Sequence, residues 1–328
     1  MLSAASWVDE FLADRASRKP SPHTLQAYRR DLTSVLRLIA DTWSPAPLAW
    51  ADLPLDALDA RTLRGAFARF AAPRAPASVH RAWSTWNSFF TFLVAEGVVA
   101  GNPMPAVGRP RAPLPLPKPL RGEETPETLL AAAARGDERQ RDPWPERDLL
   151  VIALALCAGL RLGELLALRV GSLAGRSGER RIEVTGKGGR LRTVPIEPEL
   201  DAVVRAYLAS RRRRFGGRSV RDQDMLLVDR AGAAMRRGAL QYLVRSCFRR
   251  AGITERVPRG AQLHALRHTF ATRLAEDGAS AAEIMRLLGH GSLTSSQNYI
   301  EVTAGQQRAA VRSNRTNQSL RRVVGGGD

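Results

Sequence analysis

Apolar residues in the first hundred positions recur at helical spacing. Leu25, Tyr28, Leu32, Val35, Leu36 and Ile39 repeat at threes and fours after Ser21-Pro22, a capping serine followed by a proline suited to a first helical turn. A second stripe, Leu63, Phe67 and Phe70, predicts a helix over 59–71. The third is the most regular: Val79, Trp83, Trp86, Phe90 and Leu93 keep a 4-3-4-3 spacing until Gly97 stops it. Trp7 and Phe11 predict a short helix ahead of these. Arg29, Arg30, His80, Arg81 and Asn87 fall off the stripes and are therefore candidates to face a partner. A bundle of this kind serves equally as a protein-interaction module or as a clamp on a polyanion.

Prolines then crowd between 103 and 119, which predicts an extended, semi-rigid linker without helix or strand of its own. The implied organisation is a helical domain over 1–105, a linker over 106–119 and a second domain over 120–328. In that second domain the pattern predicts helices over 127–135, 146–158 and 200–212. Strands are expected over 180–185 and 190–196, joined by a glycine turn, with a short apolar strand over 225–228. Leu240, Leu243, Val244, Cys247 and Phe248 form one further stripe, which leaves Arg245, Arg249 and Arg250 on the opposite side. A helix with such a basic face fits along a major groove. Ser280 and Glu283 make a capping box for a helix ending at Gly289. Thr294 and Gln297 resemble another, which places Tyr299 in the first turns of a short helix.

Composition adds a partner class. In 328 residues, Lys plus Arg number 50 against 32 Asp plus Glu, a net charge of +18 and a pI near 11.3. A chain this basic commonly meets a polyanion, although its preference for arginine, alongside abundant alanine, also fits a bias in base composition. Two cysteines cannot build a disulfide framework, so a reducing compartment is expected. The longest apolar run, 149–160, is 12 residues between Asp148 and Arg161, too short to span a bilayer. No signal-peptide pattern opens the chain. A cytoplasmic, nucleoid-associated protein without membrane contact is the resulting expectation.

Chemistry concentrates in four motifs: Gly159-Leu160-Arg161-Leu162-Gly163-Glu164, Gly186-Lys187-Gly188-Gly189-Arg190, His264-Ala265-Leu266-Arg267-His268 and Leu288-Gly289-His290. Tyr299 follows nine residues after the last. Singly each is weak. Arg161 could mark a helix boundary, Lys187 an ordinary solvated hairpin turn, His290 a helix cap and Tyr299 a core tyrosine. The lysine turn lacks P-loop spacing. His264 and His268 share a helix face, but no further ligand pair completes a zinc site. Together, however, they supply what a phosphodiester needs for transfer: arginine forks for the equatorial oxygens, a lysine to protonate the leaving oxygen and a phenol as nucleophile.

The order arginine, lysine, His-x-x-Arg, histidine, tyrosine resembles the tyrosine recombinase/integrase family, most closely its Xer-type and phage-integrase members, over nearly the whole chain. The resemblance implies a mainly α fold with a small antiparallel β-sheet: an N-terminal helical core-binding (SAM-like) domain, then an α+β catalytic domain. It implies catalytic roles for Tyr299, Arg161, Lys187, His264, Arg267 and His290, with Glu164 and His268 in support. Arg29, Arg30, His80, Arg81, Asn87, Arg190, Arg245, Arg249 and Arg250 are then the candidate DNA contacts. Double-stranded DNA is the implied partner, bound by a homotetramer on two sites whose protomers are monomeric without DNA; a second recombinase is a further candidate partner. Neither metal nor other cofactor is implied. Two departures stand out: Ile300-Glu301 follows the tyrosine where many members carry Thr-His, and the tail over 314–328 is polar and arginine-rich. Rival readings are a type IB topoisomerase, with the same chemistry, and a non-catalytic DNA-binding protein on the same fold.

Overall fold

A computed structural model describes residues 3–18, 22–42, 48–111, 119–120, 122, 124–136, 142–176, 178–186, 189–257 and 260–289. The chain divides into two compact units, Met1–Pro115 and Leu116–Asp328. Half of the expected linker, 112–118, lies outside the described residues.

The first unit is helical. Its main helices are α1 (Ala4–Ser17), α2 (Pro22–Ala40), α3 (Ala60–Ala71) and α4 (Pro76–Ala95). Asp59 caps α3 by accepting from the Thr62 amide at 2.6 Å, and Pro22 and Pro76 occupy first-turn positions where no backbone donor is needed. Helix α1 has 14 residues, longer than expected, because Val8 packs inward with Phe11 and Leu12. The α4 stripe is broader than its 4-3-4-3 spacing suggested. Phe89 is fully buried while Trp83 is only partly covered. Trp86 is the centre of this core, meeting Phe89 edge-on at 5.9 Å and Phe67 at 6.4 Å.

One polar residue of α2, Asp31, ties it to α4. Asp31 is 2% exposed, and Arg81 grips its carboxylate with Nε and Nη2, both at 2.8 Å. The Trp86 indole donates to the Asp31 carbonyl at 3.3 Å, so the same residue anchors a ring and a guanidinium.

The proline-rich stretch begins differently from expectation. Met104–Val107 forms a short helix, α5, and Met104 is fully buried in the first core. Asn102 explains it: its Oδ1 accepts from the Met104 amide at 2.9 Å and its Nδ2 donates to Asn87 Oδ1 at 3.0 Å.

The second unit contains α6 (Thr125–Arg135), α7 (Pro145–Cys157), α8 (Leu162–Ala167), α9 (Pro198–Arg214), α10 (Arg237–Arg250), α11 (Gln262–Glu276) and α12 (Ala281–Leu288). Strands β1 (Leu173–Ala174), β2 (Arg181–Thr185) and β3 (Leu191–Pro195) form an antiparallel sheet in the order β1-β2-β3. The two-residue β1 was too short to leave an alternation. The strand expected over 225–228 is not one: Met225 and Val228 make single bridges to Arg169 and Ala234. Helix α7 is buried along most of its length, as its unbroken apolar run requires. Among the described residues, no helix is long and apolar enough to cross a membrane.

Replacing Trp86 with alanine should cost about 3–5 kcal/mol. Urea denaturation of the full chain measures it; a loss below about 1 kcal/mol would mean the ring is not the centre of this core.

Candidate active site

The site is assembled at the break between α7 and α8. Gly159 turns the chain at φ +60°, and a Cβ there would lie 2.4 Å from Phe270 Cδ1, so the turn accepts only glycine. Arg161 then caps α8. Glu164, three residues on, accepts from the Arg161 amide at 2.7 Å and from its Nη1 at 2.9 Å.

Glu164 is the centre of the cluster. It is buried, and Arg192 on β3 clamps it from above with Nη1 at 2.6 Å and Nη2 at 2.8 Å. Arg267 Nη1 adds its charge 3.7 Å away. Burial alone would raise the carboxyl pKa. The Arg192 hydrogen bonds, the Arg161 amide and the surrounding guanidinium charge overcome it and hold Glu164 at about 2.

The same guanidiniums reach the end of α12. Arg192 Nε donates to the Leu287 carbonyl at 2.8 Å, Arg267 Nη2 to that of Leu288, and Arg161 Nη2 to that of Gly289 at 3.3 Å. A helix C-terminus leaves its last carbonyls unpaired and carries partial negative charge, so each donor satisfies one acceptor and part of that charge. Gly289 closes the helix in the left-handed region at φ +63°, where a Cβ would crowd Arg192 Cδ at 3.0 Å. Arg267 also donates to the Gly159 carbonyl, tying α11 to the α7–α8 break.

His264 lies one turn before Arg267 on α11, with the His268 ring 4.1 Å away and edge-on. Partial burial, then the Arg267 and Arg161 charges, lower its pKa below the ordinary histidine value. The imidazole is therefore neutral at physiological pH and free to accept a proton. A cavity of about 410 Å³ opens beside these groups, bordered by Arg161, His264 and Arg267. Its opposite wall is α10, which presents Arg237, Gln241 and Arg245. Four-residue spacing puts these three on one face, a register that also holds Arg249. The same spacing runs through the sequence, and it extends the face of Arg245 and Arg249 back to Arg237 and Gln241, which the sequence analysis did not include.

Arg161, Glu164, His264, Arg267 and His268 are thus brought together. Lys187, His290 and Tyr299 lie outside the described residues. The residues just before Lys187 and His290 do converge: a Cβ on Gly186 would sit 3.9 Å from Glu164 Oε1, and Gly289 is held by Arg161. Arg190 is exposed beside the turn. Arg192, on Glu164, is a further residue that sequence reasoning missed.

Of the outlying candidates, Arg30, Arg245 and Arg249 are exposed. Arg29 pairs with Asp9 at 2.8 Å. Arg81 serves Asp31 yet keeps about half its side chain open. His80 accepts from Arg109, and Asn87 from Asn102. Arg250 corrects the helix reading: it is turned inward onto Asp148 at 3.0 Å, with its side chain 13% exposed, because that buried carboxylate requires a cation.

Comparison with known proteins defines the class. Residues 120–306 match the phage integrase family, and residues 8–97 match the phage integrase N-terminal SAM-like domain. The chain belongs to the phage integrase family. Within it, this is a tyrosine recombinase of the Xer type. It is 33% identical over 303 residues to tyrosine recombinase XerC of Mycobacterium tuberculosis, spanning 92% of this chain and 94% of that protein. It is also 33% identical over 319 residues to the XerC of Erythrobacter litoralis, covering 95% and 92%. Among solved structures, it shares its fold with XerH site-specific recombinase bound to a palindromic difH substrate (TM-score 0.69, 18% identity, 94% of this chain and 84% of that one). A lambda integrase dimer bound to a COC′ core site is similar as well (TM-score 0.64, 20% identity, 91% and 77%).

Because its folded pKa is depressed, the stabilisation from Glu164 is fully present above the ordinary carboxylate range and disappears as pH falls toward about 2. Glu164→Gln should therefore lose on the order of 3 kcal/mol relative to the native chain at pH 7. The gap should close on acidification from pH 5 to pH 2. Denaturant titrations at several pH values measure it, and a pH-independent gap would contradict the assignment.

Proposed function

We propose that this chain is a site-specific recombinase of double-stranded DNA in which Tyr299 attacks a scissile phosphate. The phenolic oxygen bonds to phosphorus, a 3′-phosphotyrosyl ester forms and the 5′-oxygen leaves as a hydroxyl. The 5′-hydroxyl of a partner strand reverses the step through a Holliday junction. The ester conserves the bond energy, so rejoining needs no ATP. Arg161, Arg267 and His290 neutralise the equatorial oxygens, Lys187 protonates the leaving oxygen and neutral His264 helps remove the phenolic proton. The observation that supports this most is the convergence of Arg161, Arg267 and a neutral His264 on one 410 Å³ cavity.

In this reading the first unit grips one side of the duplex, while Arg237, Gln241, Arg245 and Arg249 of α10 approach the groove beside the cleaved phosphate. The assembly on paired sites is a homotetramer in the cytoplasm, associated with the nucleoid. Protomers are linked by 304–322, which lies outside the described residues, and a second recombinase is a candidate partner. Deleting 304–322 should leave a monomer that still binds DNA, read by light scattering with and without duplex; undiminished assembly on a paired site would refute the linkage.

A pool of nicked duplexes with randomised half-sites tests the chemistry. The native chain should form a denaturation-resistant covalent adduct with a selected sequence, and Tyr299→Phe none. An equal adduct from the phenylalanine variant would move the nucleophile elsewhere. A type IB topoisomerase would instead relax supercoils at low enzyme-to-DNA ratio, and a non-catalytic relative would trap nothing.

A further inference from the structure

The first two residues of strand β3 invert the polarity expected of a half-buried strand. Leu191 is 67% exposed, whereas the Arg192 side chain is only 8% exposed. Period two puts Arg192 on the same face as buried Val194, and opposite Val184 in the β2–β3 register. A charged residue at an inward position, beside an apolar one turned out to solvent, breaks the local pattern in a way that a functional constraint explains.

What Arg192 reaches is specific. It binds both oxygens of Glu164, and its remaining Nε takes the Leu287 carbonyl. Glu164 in turn holds the Arg161 amide and guanidinium and faces Arg267. Leu287 is adjacent to Leu288 and two residues before Gly289, the carbonyls on which Arg267 and Arg161 close. One side chain therefore spans the carboxylate that aims the two phosphate-binding arginines and the helix end that leads to His290. Without Arg192, Glu164 would keep Arg161 and Arg267 as its cations, and it would draw on them more strongly. Buried Glu164 does not border the cavity that Arg161 and Arg267 line, so that pull would not be toward the cavity.

We infer that Arg192 is a positioning residue for strand cleavage: it saturates Glu164 and moors the end of α12, leaving Arg161 and Arg267 aimed at the phosphate. The inference rests on the phosphoryl-transfer reading above. Lysine can substitute only in part, because a single ammonium does not span two carboxylate oxygens and a carbonyl in one plane. The depressed carboxyl pKa of Glu164, to which Arg192 contributes most among the favourable contacts, agrees with this.

The experiment uses the full chain and a nicked duplex carrying the sequence captured by the native protein. Single-turnover formation of the covalent adduct, duplex affinity and thermal unfolding are measured for Arg192→Met, Arg192→Lys, Glu164→Gln and the Arg192→Met/Glu164→Gln pair. Arg192→Met should slow adduct formation on the order of 10²-fold with duplex affinity held within about threefold. Arg192→Lys should fall between it and the native chain. The double variant should be no slower than the worse single variant, because removing the carboxylate charge also removes the pull that Arg192 opposes. Adduct formation by Arg192→Met within about threefold of native, a parallel loss of affinity and rate, or penalties that multiply in the double variant would each overturn the role. If Arg192→Met does not fold, native-rate cleavage by Arg192→Lys overturns it instead. A native chain that forms no adduct overturns the phosphoryl-transfer reading and this inference with it, whereas a native adduct with unaffected variants removes this inference alone.

Discussion

A carboxylate taken out of water must be neutralised where it lies, and Glu164 sets that demand at the centre of the catalytic unit. Two arginines bond it and a third stands within ion-pair distance, so its burial is repaid by charge from β3, the α8 cap and α11 together. Three segments far apart in sequence are thereby brought to one point. Were Glu164 apolar, these guanidiniums would repel one another across a few ångströms. Were it exposed, they would have no shared anchor. The cavity beside them inherits its positive field from this arrangement.

The end of α12 is the second half of the same device. Its last carbonyls present the negative pole of a helix, and the arginines that satisfy Glu164 also satisfy them. The cluster thus combines one formal negative charge and several partial ones with three formal positive charges. The surplus is positive, and the partly exposed Arg161 and nearby His264 sit at its open side. For a site meant to receive a phosphodiester, such preorganisation means that little needs to rearrange when the anion arrives.

Much of this was legible in the sequence because periodicity survives burial. The α4 stripe, the α10 stripe and the β2–β3 alternation are each long enough to declare their type, and Arg161, His264 and Arg267 lay in motifs whose order resembled a known chemistry. What escaped was local in another sense. Helix α5 hides in a proline-rich stretch because an asparagine side chain holds its first amide and one methionine is buried. Strand β1 has two residues and so no pattern to read. Arg250 follows Leu243 by seven residues and Cys247 by three, so helical spacing already sets it beside the apolar stripe, where Asp148 is the carboxylate it meets. Arg192 left the clearest unread sign, an inverted polar and apolar order on a strand that otherwise alternates.

The pairing of Asp31 with Arg81 carries a lesson for anyone recombining modules of such enzymes. Helices α2 and α4 are bridged by a single bidentate ion pair whose acid is sealed from solvent and whose base is half open to it. A chimera that takes one helix from a donor lacking the matching charge would bury a lone carboxylate, a penalty of about 3–5 kcal/mol. Crossover points between homologues are therefore safest where 31 and 81 travel as a unit.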